Sequence, residues 1–176
     1  MTVMVLGIQI TLVTIVTLAA WSDLRTRRIP NWITAPGAVL GFALQAWYGG
    51  PHAALASIAG AGLGLGLFLA LHLLGGMGAG DVKLFGAVGA FTGPQALVIV
   101  FVLTGLLGGV AAILLSAFRG RLRETFARSG ELLADLARLR VKDARETSAA
   151  AGASALRLPY GVVIACGTLA SLMVIH

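Results

Sequence analysis

Two aspartates, Asp23 and Asp81, are the residues of this sequence whose type and position point most directly to chemistry. The chain carries seven acidic residues, and the remaining ones lie in one charged block at Glu124, Glu131, Asp135, Asp143 and Glu146. Asp23 and Asp81 instead adjoin long uncharged stretches, where an ionisable side chain is costly and indicates function. If the two meet, one is expected to hold a proton near neutral pH. Such a pair can deprotonate water and polarise a carbonyl, which suits peptide-bond hydrolysis without metal or cofactor.

The surroundings of each aspartate leave alternatives open. Asp23 follows the C-terminal turn of the first apolar segment, where a negative charge opposes the helix dipole. Its alternative role is an interfacial ion pair with an arginine of residues 25–28. Asp81 ends a run of alternating glycines, 76–80, that would let another part of the chain come close. Its alternative role is a helix N-cap.

The elements that position these aspartates are predicted to be membrane helices. Hydrophobic residues make up 58% of the chain and charged residues 11%, with a mean hydropathy of +0.93. A soluble domain carries about 25% charged residues, so a water-soluble or disordered protein is excluded. The runs without acidic or basic side chains are long enough to cross a bilayer, and they cover 1–22, 29–80, 84–118 and 158–176.

The net charge of +6 does not indicate a nucleic-acid partner, since the basic residues form no single aromatic-interleaved patch. They flank the apolar runs, as the positive-inside rule requires. Turn signals at 48–52 and 92–95 divide the longer runs. Six spans result, with both termini outside and the basic residues in the cytoplasm, at 3–21, 31–47, 53–74, 81–91, 96–118 and 158–175.

The fourth span is predicted to be short, about 16 Å at the helical rise, roughly half the hydrocarbon core. Asp81 would then lie in thinned bilayer or in a water-accessible recess. Residues 119–147 form the charged cytoplasmic loop, partly an amphipathic helix that contacts membrane or partner, or a solvated connector. Residues 147–155 are typical of a flexible tether.

Several other features indicate packing rather than chemistry. The single cysteine, Cys166, permits neither an internal disulfide nor a zinc site built on paired CxxC motifs. His72, near the inner end of the third span, could approach a site, but it is expected to be a packed or interfacial histidine. Glycine pairs four residues apart match no nucleotide-binding loop and predict close helix contacts; they are Gly60/Gly64, Gly62/Gly66 and Gly105/Gly109.

Three segments together resemble the type IV prepilin peptidases, which are GxGD-type aspartic proteases of the membrane. The first is Asp23-Leu-Arg-Thr-Arg-Arg-Ile-Pro-Asn31, similar to the family's first-aspartate loop. The second, Gly78-Ala-Gly-Asp-Val-Lys83, fits the GxGD segment with its lysine. The third, Leu158-Pro-Tyr-Gly161, resembles the start of the family's last span.

The resemblance implies a single integral membrane peptidase domain over residues 1–176, with 119–157 as its cytoplasmic loop and tether. It implies a prepilin leader peptidase of the bacterial inner membrane, with Asp23 and Asp81 catalytic at the cytoplasmic side and no metal. The partners would be prepilin peptides and the lipid bilayer. Residues implied in the substrate and active-site loops are Gly78, Gly80, Lys83, Pro159, Tyr160 and Gly161.

One departure from the larger members of that family concerns methylation. Those members carry an N-terminal segment with paired CxxC motifs, linked to methylating the new pilin N-terminus, and this sequence has one cysteine. The chain therefore resembles the short members associated with Flp-type pili, and cleavage without methylation is expected. The alternatives from the residues alone are a proton-coupled transporter using the same aspartates, and a membrane scaffold that leaves both aspartates unexplained.

Overall fold

A computed structural model describes residues 2–73, 77–118 and 159–175 of the chain. These residues form four helices: α1 (Thr2–Thr26), α2 (Asn31–Leu73), α3 (Ala79–Phe118) and α4 (Tyr160–Ile175). The described residues contain no strand, so the predicted all-α fold is confirmed. The predicted amphipathic loop and tether lie outside the described residues.

Helix α2 folds back on itself at Gly50, whose φ of 69° and ψ of −163° are not helical. Gln45 Nε2 donates to the Phe91 carbonyl at 2.6 Å, and Ser57 Oγ donates to the adjacent Ala90 carbonyl at 2.7 Å. In a straight helix, residues 45 and 57 would be about 18 Å apart. Segments 31–49 and 51–73 therefore form a hairpin, and the left-handed φ explains why glycine stands at its turn.

Helix α3 reverses in the same way at Gly93, which has a φ of 71°. The rings of Phe85 and Phe101 lie 6.1 Å apart, centre to centre. A straight helix would separate these residues by about 24 Å. Segments 79–92 and 94–118 therefore also run back to back, and Pro94 begins the second of them without needing an N–H partner.

The described residues thus contain four helices instead of the six that the sequence predicted. Both turns fall inside the segments where turn signals were recognised, at 48–52 and 92–95. At each reversal a single glycine with a positive φ departs from helical backbone angles. The sequence prediction assigned several residues to each turn, and it therefore counted the two arms of each hairpin as separate helices.

The two hairpins pack closely because glycines remove side chains from their interface. A Cβ atom placed on Gly60 would lie 2.8 Å from the Gly93 Cα, and one on Gly64 would lie 2.7 Å from the Phe85 carbonyl oxygen. The predicted close contact is confirmed for this pair. The pairs Gly62/Gly66 and Gly105/Gly109 differ, since a Cβ there would meet no atom of the described chain within 4 Å.

The surface of the molecule is apolar and its buried core includes polar side chains. Phe68 stacks on Phe85 inside, with ring centres 3.9 Å apart, while Leu106 and Val39 are more than half exposed.

By length and composition, three described helices can cross a membrane: Val5–Thr26, Asn31–Leu73 and Ala79–Leu115. Helix α4 contributes a shorter apolar stretch, Tyr160–Val174. The chain is a membrane protein.

Candidate active site

Asp23 lies in the last turn of α1, where the helix is closed by the loop that follows it. Arg27 has a left-handed φ of 54°, and its N–H donates to the Asp23 carbonyl at 2.9 Å. Ser22 Oγ and Thr26 Oγ1 donate to the Arg28 carbonyl at 3.0 and 3.1 Å. These bonds fold the loop against the helix end, and the Asp23 side chain is left only 7% exposed.

The Asp23 carboxylate accepts a hydrogen bond from the first turn of α4. The Gly161 N–H donates to Asp23 Oδ2 at 2.9 Å. This N–H belongs to the first turn of α4 and has no acceptor within its own helix, so the carboxylate supplies one. Pro159 precedes the helix, and its carbonyl accepts from the N–H groups of Val162 and Val163 at 3.0 and 3.4 Å. A side chain at position 161 has no room, because its Cβ would lie 3.0 Å from Asp23 Oδ2.

Asp81 lies in the first turn of α3 and bonds back to the residue before the helix. The Gly78 N–H donates to Asp81 Oδ2 at 3.0 Å, and the Asp81 N–H donates to the Gly78 carbonyl at 3.1 Å. The Asp81 side chain reaches back to the N–H of the cap residue, as the third helical residue of a capping box does. Gly78 has no side chain, so the return bond is accepted by its backbone carbonyl. The Asp81 side chain is 8% exposed. Helix capping therefore accounts for one oxygen of the carboxylate.

Ile29 joins the two aspartate regions. Its side chain is buried, and a Cβ on Gly80 would lie 3.1 Å from Ile29 Cβ, while a Cβ on Gly161 would lie 3.1 Å from Ile29 Cδ1. Gly80, which precedes Asp81 in the chain, and Gly161, which bonds to Asp23, thus both contact Ile29. The carboxylates are close enough to repel each other electrostatically, and Tyr160 lies within the electrostatic range of Asp81.

Most of the sequence-predicted site residues therefore lie in one cluster at the end of the helical bundle. The Lys83 side chain is exposed, and its Nζ donates to Asn31 Oδ1 at 2.9 Å. It links the starts of α3 and α2, two residues beyond Ile29. The members that the contacts bring together are Asp23, Gly78, Gly80, Asp81 and Gly161. Pro159 and Tyr160 directly precede Gly161 in the chain.

Sequence reasoning did not single out Ile29, which appeared only as part of the first-aspartate loop, and no local signal marks it as the contact between two glycines. The sequence allowed His72 to approach a site but favoured a packed or interfacial histidine. Its ring is half-buried, and its Nδ1 lies 2.7 Å from the Met77 carbonyl oxygen, next to the Gly78 N–H that bonds to Asp81.

The cluster contains two buried carboxylates, each with one oxygen occupied by a backbone N–H. Carboxyl groups held in this way can exchange protons with water and with the carbonyl group of a bound substrate. In the described parts of the chain, no three His, Cys, Asp or Glu side chains group closely enough to hold a metal ion.

Comparison with known proteins gives one result for the chain. A sequence model described as the type IV leader peptidase family matches residues 10–113. This range includes both aspartates and the two helical hairpins up to residue 113. Searches of curated proteins and of solved structures found no match.

Proposed function

Since the chain belongs to the type IV leader peptidase family, we propose that it is an aspartic endopeptidase that removes the leader from Flp-like prepilins. The observation that carries this proposal is the pair of buried carboxylates, Asp23 and Asp81, brought together where α1, α3 and α4 meet. The whole described chain then serves as one membrane peptidase domain. The family gives the peptidase class, and the carboxylate pair supports the aspartic type.

In the proposed reaction one carboxyl group is ionised and the other is protonated. The ionised group takes a proton from water as the water oxygen attacks the scissile carbonyl carbon. The protonated group gives its proton to the carbonyl oxygen, which forms a neutral tetrahedral diol. The C–N bond then breaks as the amide nitrogen receives a proton from one carboxyl group and the other takes one from the diol. The pair ends with the same number of protons and is ready for another cycle.

The backbone bonds to Gly78 and Gly161 support this mechanism by holding the carboxylates in place. A carboxylate fixed by a peptide N–H loses little orientational freedom when substrate arrives, and pre-organisation of this kind lowers the barrier. Ile29 between the two glycines sets the separation of the two helix starts.

We further propose that six helical segments cross the bacterial inner membrane, with both termini outside and the aspartates at the cytoplasmic side. The charges support this orientation, because Lys83 and the arginines of 25–28 lie at the aspartate end. Exposed aromatics support two interfaces: Trp32 lies near that end and Trp47 near the Gly50 turn. Their positions are about 22 Å apart along the helix.

The short arm of α3 gives water a route to the aspartates. Segment 79–92 spans about 21 Å, less than the hydrocarbon core of about 30 Å. If Gly93 reaches the outer interface, Asp81 lies below the cytoplasmic surface, in a recess that water and an extended leader peptide can enter. The hydrolysis needs both of these reactants at the carboxylates.

A proton-coupled transporter using the same aspartates is not favoured, because the chain belongs to a peptidase family. We also propose that this chain cleaves without methylating, since its single cysteine provides no paired CxxC motif of the kind linked to methylation.

Purified protein in detergent, incubated with Flp-type prepilin and a methyl donor, tests both statements. We expect mass spectrometry to show a pilin cut once, before its apolar helix, with no added methyl group. An intact prepilin would contradict the peptidase assignment, whereas a methylated product would contradict the second statement alone.

A further inference from the structure

His72 lies in the last turn of α2 and reaches the residue that precedes the Asp81 cap. Its ring is half-buried, and its Nδ1 lies 2.7 Å from the Met77 carbonyl oxygen. A carbonyl oxygen only accepts hydrogen bonds, so the imidazole must carry a proton on Nδ1 to make this bond. The contact therefore selects one tautomer of a neutral His72 ring, with Nδ1 as donor.

The Met77 carbonyl and the Gly78 N–H are opposite ends of one peptide group. That group is planar and trans, so its C=O and N–H point in opposite directions. The Gly78 N–H donates to Asp81 Oδ2 at 3.0 Å. A hydrogen-bonded chain thus runs from the His72 ring through the 77–78 peptide to the Asp81 carboxylate. A hydrogen bond that fixes the carbonyl end of this peptide therefore also fixes the direction of its N–H.

Glycine makes this peptide easy to rotate. A residue without a Cβ has wider access to backbone angles than any other, so the direction of the Gly78 N–H needs an external constraint. The His72 bond supplies one from a neighbouring helix. Hydrogen bonds in a chain also polarise one another, so a donor on the carbonyl strengthens the N–H as a donor.

We propose that His72 is a positioning residue for Asp81, holding the Met77–Gly78 peptide so that its N–H fixes one carboxylate oxygen. The catalytic consequence rests on the proposed peptidase function. His72 contacts the peptide and not the reacting carboxyl atoms, so its role is exerted through the backbone.

Two substitutions at His72 separate this role from simple packing. In His72→Asn the amide nitrogen lies near the position of Nδ1 and can donate the same bond, whereas His72→Ala removes the donor. We expect His72→Ala to lower kcat about tenfold or more, in the range typical of residues that orient an active-site group, with KM near the wild-type value. His72→Asn should recover most of that loss. His52→Ala, exposed at the Gly50 turn, is the matched control and should leave kcat unchanged.

A second measurement does not depend on cleavage. Hydrogen exchange of the Gly78 amide, followed by NMR in micelles, should accelerate about threefold to tenfold in His72→Ala and stay near wild type in His72→Asn. Unchanged kcat in His72→Ala, an equal loss in both variants, or an unaltered Gly78 amide would each overturn the proposal. If wild-type protein fails to cleave prepilin, the proposed peptidase function is wrong. The exchange rate of the Gly78 amide in the two His72 variants still tests the positioning role.

Discussion

The contact between Gly161 and Asp23 makes Gly161→Ala the sharpest perturbation of the proposed site. A Cβ at position 161 would lie 3.0 Å from both Asp23 Cβ and Oδ2, and 3.1 Å from Ile29 Cδ1. Ordinary carbon contacts are about 3.5 to 4.0 Å. The new methyl group therefore has to displace Asp23, Ile29 or the first turn of α4 by about 0.5 Å.

This displacement sets the expected magnitudes. Overpacking a full site costs about 1 to 3 kcal/mol, and alanine in a helix returns about 0.5 to 1 kcal/mol relative to glycine. The net loss of stability should therefore be small, about 0 to 2.5 kcal/mol. Activity is more sensitive, because catalytic groups must be held within about 0.5 Å of their productive geometry. We expect kcat to fall about 10- to 100-fold.

Cleavage kinetics on a prepilin peptide, with thermal unfolding of the same samples, tests this reasoning. Gly66→Ala is the matched control, since a Cβ there meets no described atom within 4 Å and alanine should slightly stabilise the helix. A folded Gly161→Ala protein that cleaves as fast as wild type would show that Asp23 tolerates the displacement, and the proposed geometry would be refuted.

Two other predictions concern the aspartates and the topology. Asp23→Asn and Asp81→Asn should each lower kcat more than about a thousandfold without additivity in the double variant, while Asp135→Asn in the charged block stays near wild type. Each protein should still fold, because an amide oxygen can accept the same backbone N–H, and a folded Asp23→Asn protein with near-normal cleavage would exclude the pair as catalyst. A cysteine at position 130, in a Cys166→Ser background, should react with an impermeant reagent only from the cytoplasmic side, and labelling from outside would overturn the orientation.

Much of the fold follows from local properties of the chain. Long apolar runs require helices, since a bilayer leaves no partner for unpaired backbone groups. Gly50 and Gly93 could be placed within their turns because left-handed backbone angles favour glycine. Asp23 and Asp81 could be selected because a carboxyl group next to uncharged spans is costly wherever it lies. Each inference depends on residue type and neighbouring sequence alone.

The contacts within the cluster depend on packing between distant parts of the chain. Asp23 and Gly161 are separated by 138 residues, and no local pattern specifies that one accepts the N–H of the other. Likewise, Lys83 belongs to the same short motif as Asp81, yet its exposed side chain bonds to Asn31 whereas Asp81 bonds to Gly78. Neighbours in a helix point in different directions, so a shared motif does not give two side chains the same partners.

The reversal of each long helix and the contact made by His72 also depend on the folded structure. Gly50 interrupts the helical backbone of α2, and the bonds from Gln45 and Ser57 to adjacent carbonyls of α3 show that its two arms run back to back. His72 has a polar ring that could face lipid headgroups, protein or water equally well. Its Nδ1 lies 2.7 Å from the Met77 carbonyl oxygen, five residues further along the chain, and residue type alone does not specify that contact.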